Sequence, residues 1–269
     1  MGKRLEGKIA IVTASTRGIG RAIADAYVDE GAKVWFAVRN LETGKQAVDA
    51  AIARGGKADL VYFEADDYPT HTKMVEEVLA KDGRIDILVN NFGGSNPVLD
   101  TDFEHANWEE YMKTVERNVA TVFNASHAAI TKAMIPQKSG SIINIGSVAG
   151  VVPDVTQCGY GCAKATILYL TKQIALQCGK YNIRANVLHP GITATEAVRK
   201  HLPPAVQEQF LGGCPIHRLA EPTEMASLAV YLGSDESQYT TGQDMRVCGG
   251  FDVCSPIYAT FGNLKEART

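Results

Sequence analysis

Apolar positions recur along the chain in two alternating rhythms. Short runs rich in β-branched residues, the first at Ile9-Ala10-Ile11-Val12, are each followed by a longer stretch in which apolar residues return every three or four positions. The first rhythm predicts buried strands and the second amphipathic helices. In order, the pattern predicts a strand at 9–12, a helix at 21–30 ended by Gly31, a strand at 33–38 and a helix at 41–54 stopped by Gly55-Gly56. A strand at 58–64, a helix at 70–81 and a strand at 85–89 follow. The second half continues with a long helix at 109–134 broken before Pro136, a strand at 141–145, a helix at 158–178, a strand at 183–188, a helix at 223–232 and a strand at 245–248. Such alternation builds right-handed βαβ units, so the expected class is α/β: a doubly wound parallel sheet with helices on both faces. Residues 192–217 break the rhythm with Pro203-Pro204, Gly212-Gly213 and Pro215, which predicts a short helical lid over a substrate. A C-terminal tail runs from 249 to 269.

Composition acts mainly by exclusion. With 269 residues, 45% hydrophobic and 21% charged, the chain is large enough to bury one substantial core, so a single domain over 1–269 is expected. Net charge is −3 and the basic residues are scattered, which argues against a nucleic-acid partner. Met1 to Lys8 is charged and leads straight into the first strand, and no apolar stretch approaches spanning length. A cytoplasmic protein with no signal peptide and no membrane partner is expected. The six cysteines all lie in the second half without a paired framework and read as reduced thiols. His105, His127, His189, His201 and His217 have no carboxylate or cysteine at ligand spacing, so they read as ordinary histidines and no metal site is expected.

Candidate chemistry gathers at Tyr160 and Lys164. Their spacing, 164 − 160 = 4, puts phenol and ammonium on one helix face, where a cation is expected to lower the phenol from its usual pKa near 10. The pair alone carries little, because Tyr and Lys four apart recur on many solvated faces. Ser147 lies 160 − 147 = 13 residues earlier, just past the predicted strand 141–145. At the other end of the chain, Thr13-Ala14-Ser15-Thr16-Arg17-Gly18-Ile19-Gly20 joins the first strand to the first helix, a glycine-bearing turn that suits a pyrophosphate at a helix N-terminus. After the second strand an NAD site usually carries an acid for the adenosine ribose. Here Arg39-Asn40 stands instead, and with Arg17 it offers two guanidinium groups to a ribose 2′-phosphate, which predicts NADP.

Over nearly its whole length the sequence resembles the short-chain dehydrogenase/reductase family. The family pattern T-G-x-x-x-G-x-G is similar to residues 13–20 with Ala14 for the first glycine. N-N-A-G is similar to Asn90-Asn91-Phe92-Gly93, with Phe92 for alanine. The family's helix asparagine falls at Asn118, its serine at Ser147, its Y-x-x-x-K at Tyr160 and Lys164, and its P-G-x-x-x-T at Pro190-Gly191-Ile192-Thr193-Ala194-Thr195. Ala14 departs from the pattern by adding a methyl group that is expected to tighten the phosphate turn, and Phe92 by placing a ring near the cofactor ribose.

The resemblance implies a Rossmann-type fold and hydride transfer between a nicotinamide cofactor and a secondary alcohol or ketone. It makes Tyr160 the acid or base and Lys164 the residue that lowers the tyrosine pKa and bonds the nicotinamide ribose. Ser147 would hold the substrate oxygen and Asn118 a proton-relay water. Cofactor contacts are expected from Thr13, Ser15, Thr16, Arg17, Gly18, Ile19, Gly20, Arg39, Asn40, Asp66, Asn91, Gly93, Tyr160, Lys164, Pro190, Gly191, Ile192, Thr193 and Thr195, with Asp66 near the adenine. Substrate contacts are expected from Ser95, Asn96, Ser147 and Tyr160. Within the family the sequence is most similar to bacterial NADP-dependent 7α-hydroxysteroid dehydrogenases. That resemblance implies a bile-acid alcohol in an apolar pocket, with Arg199, Lys200, His201, His217 and Arg218 as a basic rim for its acidic tail. Two alternatives stay open within the class: a 3-oxoacyl thioester reductase or a general carbonyl reductase. A non-catalytic NADPH-binding sensor is a third. A homotetramer or homodimer through the two long helices is implied as well, with the tail from Phe251 to Thr269 adding to that contact or covering the cleft.

Overall fold

The computed structural model describes residues 3–255 and Tyr258; the remainder of the expected tail lies outside the described residues. The first half is β1 (Ile9–Thr13), α1 (Gly18–Asp29), β2 (Lys33–Val38), α2 (Leu41–Ala53), β3 (Lys57–Tyr62), α3 (Tyr68–Asp82) and β4 (Ile87–Asn90). The second half is α4 (Trp108–Ala129), the short α5 (Ile135–Gln137), β5 (Gly140–Ile145), α6 (Cys158–Cys178) and β6 (Ile183–Pro190). It ends with the lid helices α7 (Glu196–His201) and α8 (Pro204–Gly212), then α9 (Pro222–Gly233) and β7 (Asp244–Val247).

All strand pairs are parallel, in the order β3-β2-β1-β4-β5-β6-β7. The chain doubles back between β3 and β4, so β1 and β4 are neighbours at the point where strand order reverses. Ligands of such sheets collect at that point, beyond the strand C-termini. Strand alternation divides the interior into two cores. Val12, Phe36 and Val89 face α1 and α9 with Tyr27 and Met225, whereas the adjacent Ile11, Trp35 and Leu88 face α3 and α4 with Met74 and Ala125.

The boundaries differ from the periodic reading where turn chemistry decides. Helix α1 starts at Gly18, three residues earlier than its apolar pattern, because Gly18 adopts a left-handed φ of 57° that turns the strand into the helix. Helix α3 opens two residues early, at Tyr68, since Pro69 suits the first turn of a helix, where its missing N–H would have no partner. The end of the long helix widens into a π-turn at Ile130–Met134 ahead of Pro136, which has no N–H to close the regular ladder.

Candidate active site

The phosphate end is built of main chain. Thr13 Oγ1 accepts from the Asn91 and Phe92 N–H groups at 2.9 and 3.2 Å, and Asn91 Nδ2 donates back to the Thr13 and Ala14 carbonyls at 3.1 and 3.2 Å. Thr13 and Asn91, expected as cofactor contacts, therefore rivet the two turns together. Gly20 packs so tightly that a Cβ would lie 2.3 Å from Asn91 Nδ2. Ala14 adopts a left-handed φ of 52°, so the departure from glycine carries backbone strain as well as an added methyl group.

This turn fits a dinucleotide on its own evidence. Ser15 Oγ is buried with no hydrogen-bond partner, and the N-cap of α1, Arg17, leaves the first-turn N–H groups without a side-chain acceptor. Beside it a cavity of about 640 Å³ is walled by Thr16, Arg17, Arg39, Asn40, Phe63 and Phe92. Arg17 makes no ion pair among the described residues, and Arg39 lies 3.5 Å from Glu64. Asn40 caps α2, its Oδ1 accepting from the Glu42 and Thr43 N–H groups at 3.0 Å. Asp66 pairs with Arg117 at 2.8 Å, and Arg117 lies over the Phe92 ring, 5.1 Å from its centroid. The Asp66 carboxylate is thus engaged outside the cavity, which Glu64 and Ala65 line instead.

A second part of the cleft, about 620 Å³, runs from Gly18, Ile19 and Gly93 past Ser147, Tyr160 and Lys164 to Pro190, Gly191, Ile192, Thr193 and Thr195. It brings most of the expected cofactor residues together. Gly93 leaves room for the Lys164 ammonium: a Cβ would lie 2.4 Å from Nζ and displace it. Lys164 is 1% exposed, donates to the Ile145 carbonyl at 2.8 Å and stands 5.5 Å from the Tyr160 ring centroid. Burial brings its pKa down to about 8. Tyr160 goes the other way: burial raises it above its usual 10, and the Ser147 hydroxyl pulls back by a smaller amount. This corrects the expectation of a phenol lowered by Lys164. Desolvation is the larger cause, and what opposes it is the Ser147 hydroxyl rather than the Lys164 ammonium.

Asn118 is held against the Gly93-Gly94 loop beside Lys164. Its Nδ2 donates to the Gly94 and Thr114 carbonyls, both at 2.8 Å, and its Oδ1 accepts from the Gly94 N–H at 3.1 Å. The amide braces the Gly93-Gly94 loop against Lys164, and all its polar atoms are engaged in doing so.

Substrate access is apolar. A cavity of about 490 Å³ opens on Ser147 and Tyr160 and is lined by Val148, Val152, Val198, Leu202, Phe210 and Phe251, so the lid of residues 192–217 closes over it. Ser95 lies on the cofactor side of the cleft. Asn96 turns away: its Oδ1 accepts from the Val98 N–H at 3.0 Å, and Pro97 lines the cavity in its place. The expected basic rim is corrected at Arg199, His217 and Arg218, while the His201 side chain lies outside the described residues. Arg199 pairs with Glu221 at 3.1 Å, Arg218 with Glu224 at 2.7 Å and His217 with Glu208 at 2.8 Å, while the charged side chain lining the cavity is Asp154.

Two buried residues that hold the site's elements escaped the sequence reading. The Asp100 carboxylate, 3% exposed, accepts from the Gly159 and Tyr160 N–H groups at 2.7 and 2.9 Å, capping the first turn of α6 and fixing Tyr160. No motif marks it. The second is His189, read as ordinary, whose ring is fully buried against the Ser147 main chain. Its adjacency to Pro190-Gly191 was a signal available in the sequence.

Comparison with known proteins agrees with this geometry. Residues 13–252 match a family model described as enoyl-(acyl carrier protein) reductase. A 7α-hydroxysteroid dehydrogenase of Clostridium sardiniense is 42% identical, covering 96% of this chain and 98% of that protein. A 3-oxoacyl-[acyl-carrier-protein] reductase of Thermotoga maritima is 34% identical, covering 93% and 100%. The crystal structure of a gluconate 5-dehydrogenase from Burkholderia cenocepacia, in complex with NADP and tartrate, superposes with a TM-score of 0.87 at 29% identity, covering 94% and 98%. With a seven-stranded parallel sheet, a dinucleotide turn at its reversal point and Ser147, Tyr160 and Lys164 converging on the same edge, the chain belongs to the short-chain dehydrogenase/reductase family and is an oxidoreductase that uses a nicotinamide cofactor.

Proposed function

We propose that the protein is an NADP-dependent hydroxysteroid dehydrogenase acting at the 7α-hydroxyl of bile acids. The observation that carries this reading is the apolar cavity opening on Ser147 and Tyr160, because a rigid hydrocarbon body with one reacting oxygen fits such walls. The 42% identical 7α-hydroxysteroid dehydrogenase supports it. Ser147 donates a hydrogen bond to the substrate oxygen, and Tyr160 transfers the proton: the phenol gives it to a ketone, and the phenolate takes it from an alcohol. Lys164 and the Gly191–Thr193 segment orient the nicotinamide, which when bound accepts or supplies the hydride. Arg17 and Arg39 face the side of the cleft where a 2′-phosphate would lie, which supports NADP over NAD.

The test is absorbance at the reduced-nicotinamide band with NADP or NAD and bile acids that have or lack a 7α-hydroxyl. Turnover confined to the 7α-hydroxylated acids with NADP is expected; no turnover of them sinks the substrate. Acetoacetyl-CoA with NADPH tests the 3-oxoacyl thioester reading, to which the Thermotoga relative points. The neutralised Arg199 and Arg218 disfavour docking of an acidic carrier. No helix among the described residues is long and apolar enough to cross a membrane. Exposed Phe123 on α4 and Tyr169 and Leu176 on α6 support a dimer or tetramer through these helices, measurable by light scattering.

A further inference from the structure

His189 closes β6 directly behind Ser147. Its Nδ1 lies 2.8 Å from the Ser147 carbonyl oxygen and 3.1 Å from the Ser147 nitrogen, and its Nε2 lies 3.1 Å from Asp244 Oδ1. Gly146 makes room for the ring, since a Cβ there would stand 2.5 Å from Nδ1. The charged groups around the ring are Asp244 and Arg246 from β7 and Lys164 from α6. Asp244 is held by Arg246 at 2.9 Å, and Arg246 also binds Asp252, which accepts from the Cys248 thiol at 3.0 Å. Asp252 follows Phe251, a wall of the substrate cavity. Nε2 approaches Asp244 without forming a hydrogen bond, and Nδ1 either accepts from the Ser147 N–H or donates to the Ser147 carbonyl, according to the tautomer. Either way the ring touches the serine only through its main chain.

We propose that His189 is the positioning residue of the reacting serine: clamped between Asp244 and the Ser147 main chain, it sets where the Ser147 hydroxyl meets the substrate oxygen, and the Asp244–Arg246–Asp252 chain carries that clamp to the Phe251 wall. The proposal rests on the reading of Ser147 as the residue that holds the substrate oxygen.

His189→Asn keeps a polar atom near the Nδ1 position, whereas His189→Gln places one near Nε2 and withdraws it from Ser147. Measured with cholate and NADP, His189→Gln is expected to lower kcat by about tenfold or more with KM and cofactor affinity unchanged, as small misplacement of a reacting group does. His189→Asn is expected to stay within about threefold of the wild type. Hydrogen exchange at the Ser147 amide, which needs no turnover, should quicken about tenfold in His189→Gln and not in His189→Asn. Wild-type kcat and exchange in His189→Gln, or equal losses in both variants, would overturn the clamp. If His189→Gln does not fold, Asp244→Asn leaves the ring in place and should shift kcat and exchange in the same direction; wild-type values there overturn it equally. Asp252→Asn should raise KM by about threefold through the Phe251 wall, and an unchanged KM removes that extension. Ser147→Ala in the same assay separates the two readings. Undiminished kcat rejects Ser147 itself, whereas a loss there beside an intact His189→Gln rejects only the clamp.

Discussion

The two ends of the cleft are built on opposite principles. The phosphate turn is a main-chain device: Gly18 and Gly20 shape it, Thr13 and Asn91 lock it, and its cations, Arg17 and Arg39, reach in from the exposed surface. The catalytic centre is a side-chain device, with Lys164 buried, Tyr160 fixed through Asp100 and Ser147 backed by His189. Buried groups resist water and one another, so their protonation is coupled to folding; exposed cations act through screened, graded attraction. Substitutions at the centre should therefore be severe and pH-dependent, and those at the turn mild and additive.

The sharpest break is Tyr160→Phe, which removes the proton carrier and keeps the ring. Turnover should fall about 10³-fold with cofactor binding by fluorescence titration unchanged; activity within a few-fold of the wild type would reject Tyr160 as the acid. Next comes Lys164→Met. A lysine lowered from 10.5 to about 8 in the fold binds its proton more weakly there than in the unfolded chain, so its charge destabilises the fold below about pH 8 and this cost disappears as pH rises to 10.5. The stability difference between variant and wild type in urea melts should change by about 3 kcal/mol across that window, the wild type gaining. A pH-independent difference would show that Lys164 is not desolvated. The variant should also be inactive, a site where function opposes stability.

At the other end, Arg39→Ala should weaken NADP binding by about tenfold and leave NAD binding within about twofold, the loss of one charge-assisted contact to phosphate. Equal losses for both cofactors would remove the 2′-phosphate role. The smallest effect is Ala14→Gly, which relieves a left-handed alanine and should stabilise the fold by about 1 kcal/mol in thermal melts, with activity unchanged. A destabilised variant would mean that the turn holds its shape without strain.

Reading the chain located every strand and both lid helices in outline, because strand and helix periods differ and the interruptions at Pro203-Pro204 and Gly212-Gly213 are explicit. The boundaries that moved, at Gly18, Pro69 and the π-turn before Pro136, moved for turn chemistry that hydrophobic period does not carry. In the site, Ser147, Tyr160 and Lys164 were legible from spacing and resemblance. The partners of Asn118 were not legible because its amide bonds Gly94 from another element, whereas Asn96 bonds the nearby Val98 N–H and leaves the cavity wall to Pro97. The basic rim failed for a similar reason: a list of cations does not show the glutamates that face them.

The sequence by itself determined the alternation of strands and helices, and with it a doubly wound parallel sheet, while the reversal of strand order between β1 and β4 came from the assembled sheet. It also supplied the candidate reacting groups, through residue type, spacing and the family resemblance. Only the tertiary structure decided their state. Burial raises Tyr160 and lowers Lys164, Asp100 reaches across 159 − 100 = 59 residues to hold the catalytic helix, and His189 backs Ser147 from a neighbouring strand. Desolvation and hydrogen bonding depend on which atoms surround a group in space, and that neighbourhood exists only after the sheet has assembled.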